Sequence, residues 1–281
     1  MTAFHPESPR PLVMGVLNVT PDSFSDGGLW TDPEVAVAHG LAMMEDGADL
    51  VDVGGESTRP GALRPPLSEE LARVLPVVSA LVANGGVVSV DTMRAEVAEA
   101  ALDAGASVVN DVSGGLADPR MLEVVAASQA TYIAMHWRAH SDQMTDFATY
   151  DDEGGVVAQV RRELSGRVAA MRAAGIAADR IVVDPGLGFA KLAHHNWELL
   201  RGLPALGDLG FPLLLGASRK SFLGALLTSA AGVPRAAGER EYAHAALVTW
   251  AAGRGIWGFR VHDVRATRDA LAVVAELRGV S

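Results

Sequence analysis

Eight times along this 281-residue chain, an apolar run of strand length stops at a polar or charged residue. The stops are Asn18, Glu56, Asp91, the pair Asn110-Asp111, His136, Asp184, the run Ser218-Arg219-Lys220 and the run Arg260-Val261-His262-Asp263. Helix-like stretches, Ala-rich on one side and charged on the other, lie between them at 33–46, 68–83, 94–104, 120–127, 155–174, 197–206 and 265–277. Such alternation is how parallel strands joined by helical crossovers read in sequence. Runs such as 181–183 and 212–215 are apolar on both faces, as buried parallel strands are. The expected architecture is α/β, a single (β/α)8 TIM barrel with long loops after strands one and two. All strand C-termini of such a barrel open on one face, and catalytic groups gather there.

Length alone would suggest about two domains, but α/β barrels of this size commonly form one. The apolar share of 49% is enough for a sizeable core. Residues 1–11 are polar and Pro-rich and read as a disordered N-terminal arm, and residues 12–281 as one domain. The arm lacks the apolar stretch of a signal peptide, and a cytoplasmic location is expected. Gly47, Gly85, Gly105 and Gly175 stand just past helix ends, where a left-handed cap is common. The seventh helical segment reads as interrupted, one piece starting after Lys220 and a second near Arg240. An open doubly wound sheet fits less well, because the first turn is long and lacks Gly-x-Gly-x-x-Gly.

The composition excludes some chemistry. Without cysteine there are no disulfides, thiolate metal sites or cysteine nucleophiles. A net charge of −11 argues against a general nucleic-acid surface. An anionic ligand would need a local cluster of cations to outweigh that field.

The strand ends supply such groups. Asp91, Asn110 and Asp184 close strands three, four and six, and together suit a ligand rich in N–H donors, such as a 2-amino-4-oxo heterocycle. Each alone is equally readable as a helix N-cap. Arg260 and His262 alternate on strand eight and suit a phosphate or diphosphate. The plainer alternative is a rim ion pair between Arg260 and Asp263. Lys220 can reach over the mouth, and Ser221 opens the next helix, where free N–H groups favour an anion. In the run 184–191, two glycines let the backbone approach a flat ligand, and Phe189 can cover a ring. The loops 20–28 and 56–61 read as mobile lids. Metal-ligand patterning is sparse. A Mg²⁺ ion arriving with a diphosphate needs only one or two protein oxygens, and Asn18 is the natural one.

At this point the chain resembles the dihydropteroate synthase family. The resemblance is carried by 14–28, 52–61, 89–92, 110–115, Met135-His136, 184–189, Ser218-Arg219-Lys220 and 260–263, in order along nearly the whole chain. It implies a transferase of folate biosynthesis. The enzyme would join 4-aminobenzoate to (7,8-dihydropterin-6-yl)methyl diphosphate, releasing diphosphate and forming a C–N bond. It further implies Mg²⁺ held at Asn18, sulfonamides as inhibitors and a homodimer. The pterin pocket would comprise Asp91, Asn110, Met135, Asp184, Phe189, Gly216 and Lys220. The diphosphate site would comprise Asn18, Arg260 and His262, and the aminobenzoate rim Phe24, Asp26, Arg59 and Ser221. Asp91, Lys220, Arg260 and His262 would carry the catalysis. The alternatives are a non-catalytic pterin-binding paralogue, which should lack Lys220 or the lids, and a methyltetrahydrofolate-binding methyltransferase domain, which should lack Ser-Arg-Lys. His244 stands where a small residue is more usual in the family, and altered packing or dimer contact is expected there. All of this requires seven distant residues, Asn18, Asp91, Asn110, Asp184, Lys220, Arg260 and His262, to meet around one cavity.

Overall fold

The structure is a computed structural model, and it describes residues 10–20, 32–57, 64–140, 144–151 and 153–279. Its strands are β1 (Leu12–Asn18), β2 (Leu50–Gly54), β3 (Val88–Asp91), β4 (Val108–Asp111), β5 (Thr131–Met135), β6 (Ile181–Asp184), β7 (Leu213–Leu215) and β8 (Ile256–Val261). The helices are α1 (Pro33–Glu45), α2 (Leu67–Ala83), α3 (Ala95–Asp103), α4 (Met121–Ala127), α5 (Gly155–Ala173), α6 (Ala193–Arg201), α7 (Leu203–Gly207), α8 (Ser221–Leu226), α9 (Glu241–Ala252) and α10 (Val264–Arg278). Every neighbouring strand pair is parallel, and β8 pairs with β1, so the sheet closes into a barrel without edges.

Alternation along the strands sorts the side chains. One face carries Val13, Leu17, Val51, Val53, Val90, Val109, Val183 and Phe259, packed against the helices in the main core. The other fills the lumen. Leu12, Met14, Leu50, Val108, Ile133, Val182, Leu214 and Trp257 form a separate apolar cluster that plugs the barrel. Nearer the C-terminal ends, the same inward positions turn polar, with Asp52 two residues after Leu50, Asn110 two after Val108 and Asp184 two after Val182.

The opposite face is built for turning. After α1, α2, α3 and α5, the residue following the cap is Gly47, Gly85, Gly105 or Gly175, with φ of 96°, 81°, 101° and 97°. At the end of α5, Gly175 N donates to Arg172 O and Ile176 N to Met171 O, satisfying the last carbonyls. Buried Ile176 then leads into β6. The other three helices end with the same pair of bonds. Asp32 and Asp263 cap α1 and α10, accepting the Glu34 and Ala266 N–H groups. At the start of the described chain, Arg10 grips Asp49 with two bonds of 2.7 and 2.8 Å. The rest of the predicted arm, residues 1–9, lies outside the described residues. No helix among them is long and apolar enough to cross a membrane.

One expectation about helices meets a different outcome. The stretch read as one helix over 197–206 is α6 and α7. The first starts at Ala193 because His195 and Asn196 bond back to Leu192 rather than facing solvent. It stops at Gly202 because Pro204 cannot donate to the helical ladder. The seventh unit is interrupted as read, with α8 and α9 separated by 227–240.

His244 on α9 is only 2% exposed and lies inside the chain. Burial pushes its pKa down to about 4, opposed by the charge of Asp263. The unfolded imidazole takes a proton near 6.5, whereas the folded one resists until about 4. The unfolded state therefore binds more protons within that window, and this contribution to stability falls as pH drops. The parent should lose up to about 3 kcal/mol relative to His244→Leu between those limits. Urea unfolding of both proteins across the window measures it, and a pH-independent difference would contradict this account.

Candidate active site

Arg260 leaves β8 and crosses the barrel mouth. Its Nε donates to Asp52 Oδ2 at 2.6 Å and its Nη2 to Asp91 Oδ2 at 2.7 Å. Asn110 Nδ2 donates to the same Asp52 oxygen at 2.9 Å. One guanidinium thus ties β8 to β2 and β3, and an amide ties β4 to the same knot. Asp52 is fully buried, while Asp91 and Asn110 are buried just above it. Burial pushes the Asp91 pKa upward, opposed by Arg260 and reinforced by Asp52.

The rest of the mouth connects through two glycines. A methyl placed on Gly216 would lie 3.8 Å from Arg260 Cβ and 3.9 Å from both Asp184 Oδ2 and Lys220 Nζ. A methyl on Gly54 would lie 3.5 Å from both Asn18 Oδ1 and Asp91 Oδ2. The bare backbone lets these side chains approach closely, with both signs of charge meeting around Gly216. Asp184 Oδ1 accepts from Gly186 N at 2.7 Å. Burial raises the Asp184 pKa, with Lys220 opposing. Lys220 donates to Leu187 O, and its ammonium stands 4.6 Å from the Phe189 ring centroid. Burial lowers its pKa to about 8, opposed by Asp184 and assisted by Arg260.

An apolar shelf lies beside these charges. Met93, Val112 and Met135, following or ending β3, β4 and β5, form a cluster to which Trp137 and Phe189 add their rings. On the other side, His262 is fixed by Ser218, whose Oγ lies 2.9 Å from Nδ1 and accepts the His262 N–H at 3.2 Å. The Ser218-Arg219-Lys220 run is itself constrained. Arg219 has φ of 59°, its Nε donates to Glu241 at 2.8 Å, and Arg240 Nη1 donates to its carbonyl at 2.5 Å. Ser221 is exposed at the start of α8.

Of the seven residues expected to converge, Arg260 bonds Asp91 directly and Asn110 through the shared acceptor Asp52, Asp184 and Lys220 flank Gly216 beside Arg260, Asn18 and Asp91 flank Gly54, and His262 stands at the same rim. Met135, Phe189 and Gly216 line it. Phe24, Asp26 and Arg59, with most of both long loops, lie outside the described residues. The alternative pairing of Arg260 with Asp263 gives way to the bonds described, since Asp263 caps α10. Asp52 escapes a reading of strand ends because it stands in mid-strand. The available signal was a carboxylate inside the otherwise apolar run Leu50–Gly54. Met93 and Val112 carry no such signal, being apolar residues in an apolar-rich chain.

A match to the family described as pterin binding enzyme spans residues 14–262. A dihydropteroate synthase of Mycobacterium leprae (strain TN) is 55% identical, over 93% of this chain and 92% of that protein. The chain belongs to the dihydropteroate synthase family. The structure of the Yersinia pestis dihydropteroate synthase in a sulfonamide drug complex superimposes with a TM-score of 0.89 at 39% identity, covering 96% of this chain and 95% of that one. That of Xanthomonas albilineans dihydropteroate synthase with 4-aminobenzoic acid gives 0.87 at 46% identity, covering 97% and 94%. The closed eight-stranded barrel carries the Arg260 knot near the C-terminal ends of its strands.

Removing one partner of a buried ion pair strands the other charge. Asp52→Ala should cost about 3–5 kcal/mol in urea unfolding, on that ground. Asp52→Ala combined with Arg260→Met should cost less than the two single changes added. Simple additivity would show that the pair is not coupled.

Proposed function

We propose that this barrel mouth joins 4-aminobenzoate to (7,8-dihydropterin-6-yl)methyl diphosphate, giving 7,8-dihydropteroate and diphosphate, and that sulfonamides compete for the aminobenzoate position. The single observation that carries the reading is the pairing of buried acceptors with cations at one opening. Asp184 and Asn110 offer oxygens to the N–H-rich edge of a pterin, and the Met93–Val112–Met135 shelf offers a flat apolar wall. Asn18, Arg260 and His262 stand where an anionic leaving group would lie.

The roles follow from charge. As the bond between the pterin methylene and the diphosphate oxygen lengthens, negative charge grows on the oxygen and positive charge spreads into the ring. Arg260, held from below by Asp52, presents its outer N–H groups to the departing anion, and His262 does so from the rim. Asp91 favours the positive charge on the ring, and Lys220 packs at its edge. The amine nitrogen of 4-aminobenzoate then bonds to the methylene, and one of its protons leaves to solvent or diphosphate. No strong base is required first, since the bond to the leaving group breaks before the amine adds. Phe24, Asp26, Arg59 and Ser221 would border the aminobenzoate.

Mg²⁺ fits this donor set. Among the described residues, no group of three or more His, Asp or Glu side chains is arranged to hold a metal. An ion carried in by diphosphate oxygens needs little more than the Asn18 amide oxygen, which faces the Asp91 side of the mouth. When bound, it would help neutralise the leaving group. Exposed Tyr242, Trp250, Val273 and Leu277 on α9 and α10 suit a homodimer face.

The test is diphosphate release from the pterin diphosphate, with and without 4-aminobenzoate. Release that depends on the amine is expected, and its absence would defeat the reading. Lys220→Ala should abolish turnover, and near-normal turnover would remove Lys220 from the mechanism. Arg260→Ala should weaken binding of the pterin diphosphate far more than binding of a free pterin. Calorimetry of both ligands checks this, with equal losses counting against an anion-binding role.

A further inference from the structure

The turn between β6 and α6 supplies two groups to the mouth, the Leu187 carbonyl that receives Lys220 and the ring of Phe189. Its backbone is contorted. Gly186 and Gly188 have φ of 68° and 80°, and Ala190, which carries a Cβ, has φ of 47°. Non-glycine residues persist there only when their surroundings enforce it.

The enforcing groups come from outside the turn. Tyr150 Oη donates to Ala190 O at 3.0 Å, and Asn196 Oδ1 accepts from Gly188 N at 2.6 Å. Lys191 curls back to donate to Phe189 O at 2.9 Å. The same ammonium lies 3.0 Å from His136 Nδ1, and His136 Nε2 lies 2.8 Å from Glu163 Oε2. Glu163 Oε1 accepts from Arg138 Nη2 at 2.6 Å.

Burial lowers the Lys191 pKa well below the ordinary lysine value, and while Lys191 carries its proton one arrangement satisfies this chain. An ammonium has hydrogens and no acceptor, so His136 Nδ1 must accept. The imidazole hydrogen is then on Nε2, and the Glu163 carboxylate accepts it. Burial, with Lys191 beside it, lowers the His136 pKa to about 4, so the ring is neutral as the geometry requires. Glu163 is lowered to about 2 by His136 and Arg138, against its desolvation. Burying these charges is costly, and no step of the reaction uses them. What they hold is the turn.

We propose that Lys191, His136 and Glu163 form a relay of positioning residues that sets the 186–190 turn, and with it the seat of the pterin ring. None of the three touches substrate. The relay also ties the turn to β5, where His136 N donates to Asp184 O at 2.8 Å. Displacing the turn moves Phe189 and the anchor of Lys220 together, so the loss should fall on pterin binding. This inference rests on the reading of the mouth as the pterin diphosphate site.

The experiment is steady-state kinetics with both substrates varied, on parent and variants whose folding is checked by circular dichroism. Lys191→Met and His136→Leu should each raise the KM for the pterin diphosphate about tenfold or more, with kcat changed less than about threefold. The KM for 4-aminobenzoate should stay unchanged. In His136→Asn the amide oxygen takes the place of Nδ1, and the pterin KM should return to within about threefold of the parent. A fall in kcat at unchanged pterin KM, or an Asn variant as impaired as the Leu one, overturns the relay. Should Lys191→Met fail to fold, Glu163→Ala leaves His136 Nε2 without its acceptor and should raise the pterin KM about threefold, and an unmoved KM again overturns it. A parent protein without turnover would remove the underlying reading as well, whereas an active parent with indifferent variants would remove the relay alone.

Discussion

The side chain of Arg260 is to this mouth what a keystone is to an arch. It starts on the last strand, crosses the opening and ends on carboxylates from the second and third. Because β8 also pairs with β1, the bonds of Arg260 run across a ring already closed by its backbone. The acids and the amide below the mouth would be costly to bury singly. Together they are partners. Asp52 accepts from both Arg260 and Asn110, and Asp91 shares the guanidinium.

The chemistry is possible because the lumen is layered. The apolar plug formed by Leu50, Ile133, Val182, Leu214 and their neighbours keeps water from the underside of the charged stratum. Charges above it interact in a poorly screened medium, which is why burial shifts Asp91, Asp184 and Lys220 away from their ordinary values. A weakly hydrated Lys220 close to Asp184 stands ready for a planar ring bearing N–H groups on one edge and charge on its tail. Among the described residues, the two non-glycine residues with left-handed backbone, Ala190 and Arg219, lie in the turns after β6 and β7.

Much of this was legible before any coordinates. The eight polar stops gave strand count, direction and most of the mouth, because parallel strands end where their apolar runs end. Glycines after α1, α2, α3 and α5 marked helix ends, since a left-handed residue there leaves a chemical trace in sequence. Asp52 was hidden by its mid-strand position, where one acid among apolar residues shows neither its burial nor its partners. Met93 and Val112 were hidden because an apolar residue looks the same in a shelf and in a core. His195 and Asn196 misled, polar residues that turned inward to start α6. The relay behind β5 was out of reach, for it joins residues from 136 to 191 through orientation alone.

The glycine-ended helices lie at one pole of the barrel and the reactive groups at the other. The turns that end these helices are therefore physically apart from the groups that meet a ligand. Lineages can trade the segments bordering the opening for others, altering which small molecules are admitted or refused, while the hidden pole goes on holding the same shape.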